Sequence, residues 1–136
     1  MPEGEAADFD IARAYYYTEE YANALEQFEK LKANDPEDLV VIGFLANIHA
    51  LQNNPAAAKE ELELLENLRG AYQFGQIDYL LARYYAVVGD KEQLFTHLKR
   101  TVAAGYLYTS SKYQYDPHFK PYLDTPEFES IMTYWY

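Results

Sequence analysis

The chain of 136 residues contains no cysteine. That absence excludes disulfides, thiolate metal sites and a thiol nucleophile together. Positive charge is scarce, with 11 Lys and Arg against 22 Asp and Glu, a net charge of −11. Such a field repels phosphate backbones and anionic headgroups, and no run of Lys and Arg provides a local exception, so neither nucleic acid nor a membrane surface is an expected partner. No apolar stretch reaches the length that crosses a bilayer. Glycine is limited to six residues, and none belongs to a phosphate-cradling loop. The opening MPEGEAADFD holds four acidic groups and no apolar core, unlike a secretory leader. The expectation is a cytoplasmic protein, with a domain cut from a larger or exported parent as the alternative.

What the chain does have is periodicity. Tyr15, Ala24, Phe28 and Leu31 are echoed 34 positions later by His49, Ala58, Leu62 and Leu65. Tyr85, Leu94 and Leu98 follow after a further 36. A period of this length denotes stacked helix pairs, each burying its apolar face on the next. Breakers and caps mark the ends. Asn34-Asp35-Pro36 stops one helix, Asp38 caps the next, Asn54 and Pro55 open a fourth, and Gly70, Gly89 and Gly105 close others. The spacing predicts helices over about 6–17, 19–33, 39–51, 55–68, 76–88 and 91–104, with 71–75 (AYQFG) as a longer connection.

The tail from Tyr106 differs in character, holding seven of the fifteen tyrosines and three of the six prolines. SSKYQYDPHFKPYLDTP reads as turn-rich, and Thr125-Pro126 as the start of a last helix through EFESIMTYW. Two readings stay open: an aromatic cap over the apolar face of the final repeat, or a tyrosine-rich recognition surface.

YYYTEEYANALEQFEKLKANDP resembles the second half of a tetratricopeptide repeat. Tyr15 stands for its first-helix aromatic, Ala24 for its small crossing residue, Phe28 for its packing residue and Pro36 for its terminator. The second repeat keeps Leu45, Ala46, Ala58, Leu62 and Leu65, and the third keeps Leu81, Ala82, Tyr85 and Gly89. Asp8 and Ala12 replace the usual Trp and Gly, and Leu94 replaces the small crossing residue, so the third hairpin is expected to pack more loosely or at another angle. DPHFKPYLDTPEFESIM looks like the segment that caps the stack in bacterial members. The resemblance implies an all-α, right-handed superhelix of three hairpins plus a capping helix. Its repeats lie at about 5–38, 39–72 and 75–106 and its cap at 107–136, in a single domain over 1–136. It also implies a concave groove lined by the first helix of each pair.

Catalytic and metal patterns are lacking. His49, His97 and His118 are far apart and never at i, i+4 spacing. His49 replaces a packing aromatic and is expected in or near the core. Ser110 and Ser111 have no nucleophile-elbow context, and Glu60, Glu61, Glu63 and Glu66 read as one solvated helix face. No enzyme activity, cofactor or metal is expected. Arg13, Asn47 and Arg83 share one repeat position, which faces the groove in the resembled family. Arginine suits bidentate capture of a carboxylate and Asn suits backbone amides. With Phe9, Tyr16, Phe44, Gln76 and Tyr79 they form the candidate groove, whose expected ligand is an acidic peptide or a free C-terminus. The alternative is that Arg13 and Arg83 neutralise carboxylates of the chain itself, such as Asp10. The family's chaperone-tail clamp is not matched, since Phe9 and Tyr79 stand where it has Lys. The expected function is therefore a non-catalytic protein-interaction scaffold, monomeric, with a self-associating structural module or an accessory domain as alternatives.

Overall fold

The computed structural model describes residues 3–70, 75–106 and 113–133, with α1 side chains from Ala7 onward. The connection at 71–74, Ser110 and Ser111, and the Tyr134–Tyr136 end of the expected last helix lie outside the described residues. Helices α1 (Glu3–Tyr17), α2 (Tyr21–Asn34), α3 (Leu39–Leu51), α4 (Pro55–Asn67), α5 (Gln76–Val88), α6 (Lys91–Ala103) and α7 (Pro126–Met132) are joined by a 3-10 helix at Pro117–Tyr122. No strand occurs among the described residues. The chain divides into two compact units, Met1–Leu68 and Arg69–Tyr136.

In the first unit α1 packs on α2, α2 on α3, and α3 on α4. Ala12 and Ala24 are fully buried, and their small side chains let the first two helices approach closely. Phe28 and Phe44 stack at 4.9 Å, and Phe9 meets both rings edge-on. Each such ring contributes about 1.5–3 kcal/mol by leaving water. Residues 41–48 of α3 are all buried, as befits a helix apolar around its whole circumference.

In the second unit α5 pairs with α6, the 3-10 helix lies on α5, and α7 lies on α6. Tyr113, Phe119, Tyr122, Phe128, Ile131 and Met132 join Ala82, Leu94, Leu98 and Val102 in one core. The described part of the tail thus packs most of its aromatic side chains into this core. Tyr115, 81% exposed, is its exception. Leu94 is fully buried in this core.

One turn recurs in every hairpin. Glu19, Asn53 and Gly89 are left-handed, with φ of 64°, 59° and 81°. In each case the next residue's N–H returns to a carbonyl five positions back: Glu20 to Tyr15, Asn54 to His49 and Asp90 to Tyr85. Those residues occupy equivalent positions under the 34- and 36-residue spacings. Asn54 and Asp90 also cap the following helix with their side chains, accepting from Ala57 and Gln93 N–H, whereas Glu20 makes no such bond. Asp38 and Thr125 cap α3 and α7 as the sequence suggests.

The structure differs from expectation at several points, and helix α1 already begins at Glu3. Helix α2 begins at Tyr21, because left-handed Glu19 belongs to the turn. Helix α4 ends at Asn67, with Leu68 N–H bonded back to the Leu64 and Leu65 carbonyls. The turn-rich stretch of the tail contains the 3-10 helix, started by Asp116, whose carboxylate accepts from His118 N–H.

Candidate functional site

Arg13 lies on the exposed side of α1, its side chain 52% accessible. It sits 5.8 Å from the Phe9 ring centroid and 3.4 Å from Asp10 Oδ1, one helical turn back. An exposed i, i+3 pair at that distance holds weakly. Phe9, Arg13 and Tyr17 are spaced by four residues and so form one ladder along the helix. Tyr17 is 40% exposed and meets Tyr16 and Phe44 edge-on. Tyr16 and Phe44 are buried beneath. Asn47 is buried too. Its Nδ2 donates to Tyr16 Oη at 3.3 Å, and its Oδ1 has no partner among the described residues.

In the second unit Gln76 is half-buried in the first turn of α5, while Tyr79 and Arg83 lie one turn apart further along. Both belong to a buried polar network around Asp116. Tyr79 hydroxyl donates to Asp116 Oδ2, and Arg83 Nε lies 2.9 Å from the same oxygen. Oδ1 accepts from His118 N–H at 2.9 Å and faces His118 Nδ1 at 2.6 Å. Arg83 also lies over the Tyr79 ring, at 5.3 Å. Burial alone would raise the Asp116 pKa, but hydrogen bonds from His118 and the Arg83 charge outweigh it and hold the carboxyl well below its usual range. Burial, reinforced by Asp116, pushes the Tyr79 hydroxyl far above its ordinary value. Burial of the His118 ring, aided by Arg83, lowers its pKa against the pull of Asp116. The carboxylate that Arg83 meets is thus one of the chain's own, in the tail.

The same composition recurs twice more. His97 Nδ1 lies 2.9 Å from Asp78 Oδ1, and Arg69 grips Asp78 with two bonds of 3.0 and 3.2 Å. Glu61 receives two 3.0 Å bonds from Lys32, and His49 Nε2 lies 4.0 Å away. Glu61 is buried, unlike its exposed neighbours Glu60, Glu63 and Glu66, and so departs from the solvated face expected of it. The reason is Lys32, which reaches it from α2 and neutralises it. His49 is half-buried, close to the core as expected.

A histidine beside a carboxylate is half of an acid–base relay, which needs a hydroxyl or thiol on the other ring nitrogen. His97 is instead stacked on Tyr85 at 5.4 Å, and the Thr101 hydroxyl donates to the His97 backbone carbonyl. Each carboxylate is already held by a cation, and this suits cross-bracing between segments better than proton transfer. Among the described residues no group of three or more His, Cys, Asp or Glu is arranged to hold a metal. No described helix is long and apolar enough to cross a membrane.

The sequence reading missed Asp116, Asp78 and Arg69. Asp116-Pro117 carried a local sign, since an Asp before Pro marks a turn start. Nothing local marks the pairing of Asp78 with His97. Compared with known proteins, the chain matches no family model, no curated protein and no solved structure.

Proposed function

We propose that the chain is a non-catalytic interaction module of the tetratricopeptide type, which holds a partner protein or peptide through the first helices of its hairpins. The superhelical stacking implied by the resemblance is part of this proposal. Support for the repeat reading comes from the left-handed turn residues Glu19, Asn53 and Gly89 and their equivalent hydrogen bonds.

The observation that carries the binding role is Arg13. It is the exposed member of its repeat position, its one ion pair among the described residues is with Asp10 at 3.4 Å, and it stands between Phe9 and Tyr17 in sequence on one helix face. A guanidinium beside the Phe9 ring, with Tyr17 one turn further along the same face, suits an acidic side chain or a terminal carboxylate followed by apolar contacts. Arg83, its repeat counterpart, is engaged by Asp116 and serves the cap.

The test is fluorescence anisotropy with labelled acidic and C-terminal peptides against the parent, Arg13→Ala and Tyr17→Ala. Affinities near micromolar, about −8 kcal/mol, are expected. Each variant should weaken binding about five- to tenfold, or about 1–1.4 kcal/mol. The melting temperature should stay unchanged for Arg13→Ala and fall modestly for Tyr17→Ala, which loses ring contacts with Tyr16 and Phe44. Binding indifferent to Arg13→Ala would remove the α1 surface from the proposal. Failure of every peptide, with mass rising with concentration in light scattering, would favour the self-associating module.

A further inference from the structure

Between α6 and α7 the second unit opens a cavity of about 340 Å³ lined by Lys99, Val102, Ala103, Ser130 and Ile131. Its lining is graded. Val102 and Ile131 are buried members of the core and give it an apolar floor. Lys99, Ala103 and Ser130 are exposed and stand at the rim. Lys99, Val102 and Ala103 share one face of α6 through i, i+3 and i+4 spacing. The methyl group of Ala103 leaves open the space that a larger side chain would occupy.

The rim carries a positive charge in a chain of net charge −11. Lys30, Lys32, Lys59, Arg13, Arg69 and Arg83 each face a carboxylate. Lys99, like Lys91, Arg100 and Lys120, forms no ion pair among the described residues, although acidic groups outnumber basic ones two to one over the whole sequence. An ammonium at the mouth of an apolar cavity, with no carboxylate on it among the described residues and a serine hydroxyl on the facing helix, is complementary to an anion carrying a hydrocarbon chain.

We propose that this cavity binds a small aliphatic monocarboxylate of about the size of octanoate. Its carboxylate pairs with Lys99 Nζ and accepts from the Ser130 hydroxyl. Its chain lies on Val102 and Ile131 and passes over Ala103. The lysine stem adds apolar wall while its head stays in water. The site lies wholly within the second unit and does not depend on peptide binding at α1.

The test is an NMR titration of the full chain with octanoate and, as its neutral twin, octanol. Shifts should cluster on residues 99–103 and 130–131, and octanoate should bind up to about fivefold more tightly than octanol, the measure of a partly exposed ion pair. Lys99→Gln should erase that preference while leaving octanol binding unchanged. Ala103→Leu should fill the cavity and weaken both ligands about tenfold. Both positions are exposed on a helix and both replacements are good helix formers, and an unchanged melting temperature checks that the fold is kept. Equal affinity for the two ligands in the parent overturns the proposal. So do shifts elsewhere, indifference to Ala103→Leu, or no binding at millimolar ligand.

Discussion

Arg83 on α5 and Asp116 at the head of the 3-10 helix meet at 2.9 Å, with side chains only 15% and 4% exposed. The carboxylate also accepts from Tyr79 hydroxyl and from His118. Removing the arginine would strand a buried charge, whereas removing both groups would leave a smaller defect. Arg83→Met is expected to destabilise the second unit by about 3–5 kcal/mol. Combined with Asp116→Asn, it should cost less than the sum of the single changes by about 1–3 kcal/mol. Urea unfolding followed by circular dichroism measures the cycle, and strictly additive costs would show that the pair is not coupled.

The His118 pKa lies below its ordinary 6.5 in the folded chain. The folded state therefore takes up this proton less readily than the unfolded one. Its contribution is fully present above pH 6.5 and is lost as pH falls through and below that value. His118→Gln removes the titration. The stability difference between parent and variant should be largest near pH 7.5 and should shrink by about pH 5.5. A difference that stays constant across this window would refute the sign. Asp116 and Asp78, both lowered from 3.8, contribute stability that disappears only under more acid conditions.

The recurring hairpin turn suggests a graft. Asn53-Asn54 and Gly89-Asp90 supply a residue tolerant of positive φ followed by a side-chain cap. Glu19-Glu20 supplies neither, although the backbone there is the same. Glu19→Asn with Glu20→Asp should stabilise the first unit by about 1–2 kcal/mol, through relief of strain and a new cap. The gain is read as a higher melting temperature. A neutral or negative result would mean that losing the Thr18 to Glu20 side-chain bond of 3.0 Å offsets the new cap.

Two left-handed glycines should respond differently to alanine. A Cβ on Gly89 would meet nothing within 4 Å, so Gly89→Ala costs only backbone strain, about 1–2 kcal/mol. A Cβ on Gly75 would lie 3.0 Å from Ala104 Cβ and 3.1 Å from the Thr101 carbonyl, both set by helix α6. Gly75→Ala should cost about 1–3 kcal/mol more. Chemical denaturation of the two variants side by side decides this, and equal losses would contradict the close approach.

How much was legible follows from the range of each interaction. Asp38, Asn54, Asp90 and Thr125 reveal themselves as caps because a cap acts over three residues of chain, and α3 and α5 fall at 39–51 and 76–88 as read. Glu19 was invisible, since its side chain gives no sign of the conformation that the hairpin imposes. Gly75 looked like the end of a connection, and only the proximity of Ala104 explains it. Glu61 looked solvated because its partner Lys32 lies 29 residues away. Arg13 and Arg83 share a repeat position and a sequence environment, yet one is exposed and the other joins Asp116. Periodicity identifies the position, but the tail determines its fate.

The Asp116 network also implies an order of events as the chain folds. Hairpins close across turns of a few residues, and such local contacts form early. Tyr79 and Asp116 are 37 residues apart, and Arg83 and His118 are 35 apart. Bringing them together needs a longer loop to close after α5 and α6 have paired, at an entropic cost that grows with its length. The carboxylate thus stays hydrated until the cap docks, and its desolvation belongs to the last step. The network acts chiefly as a brake on opening: weakening it would speed escape from the native state and leave the rate of hairpin assembly nearly unchanged.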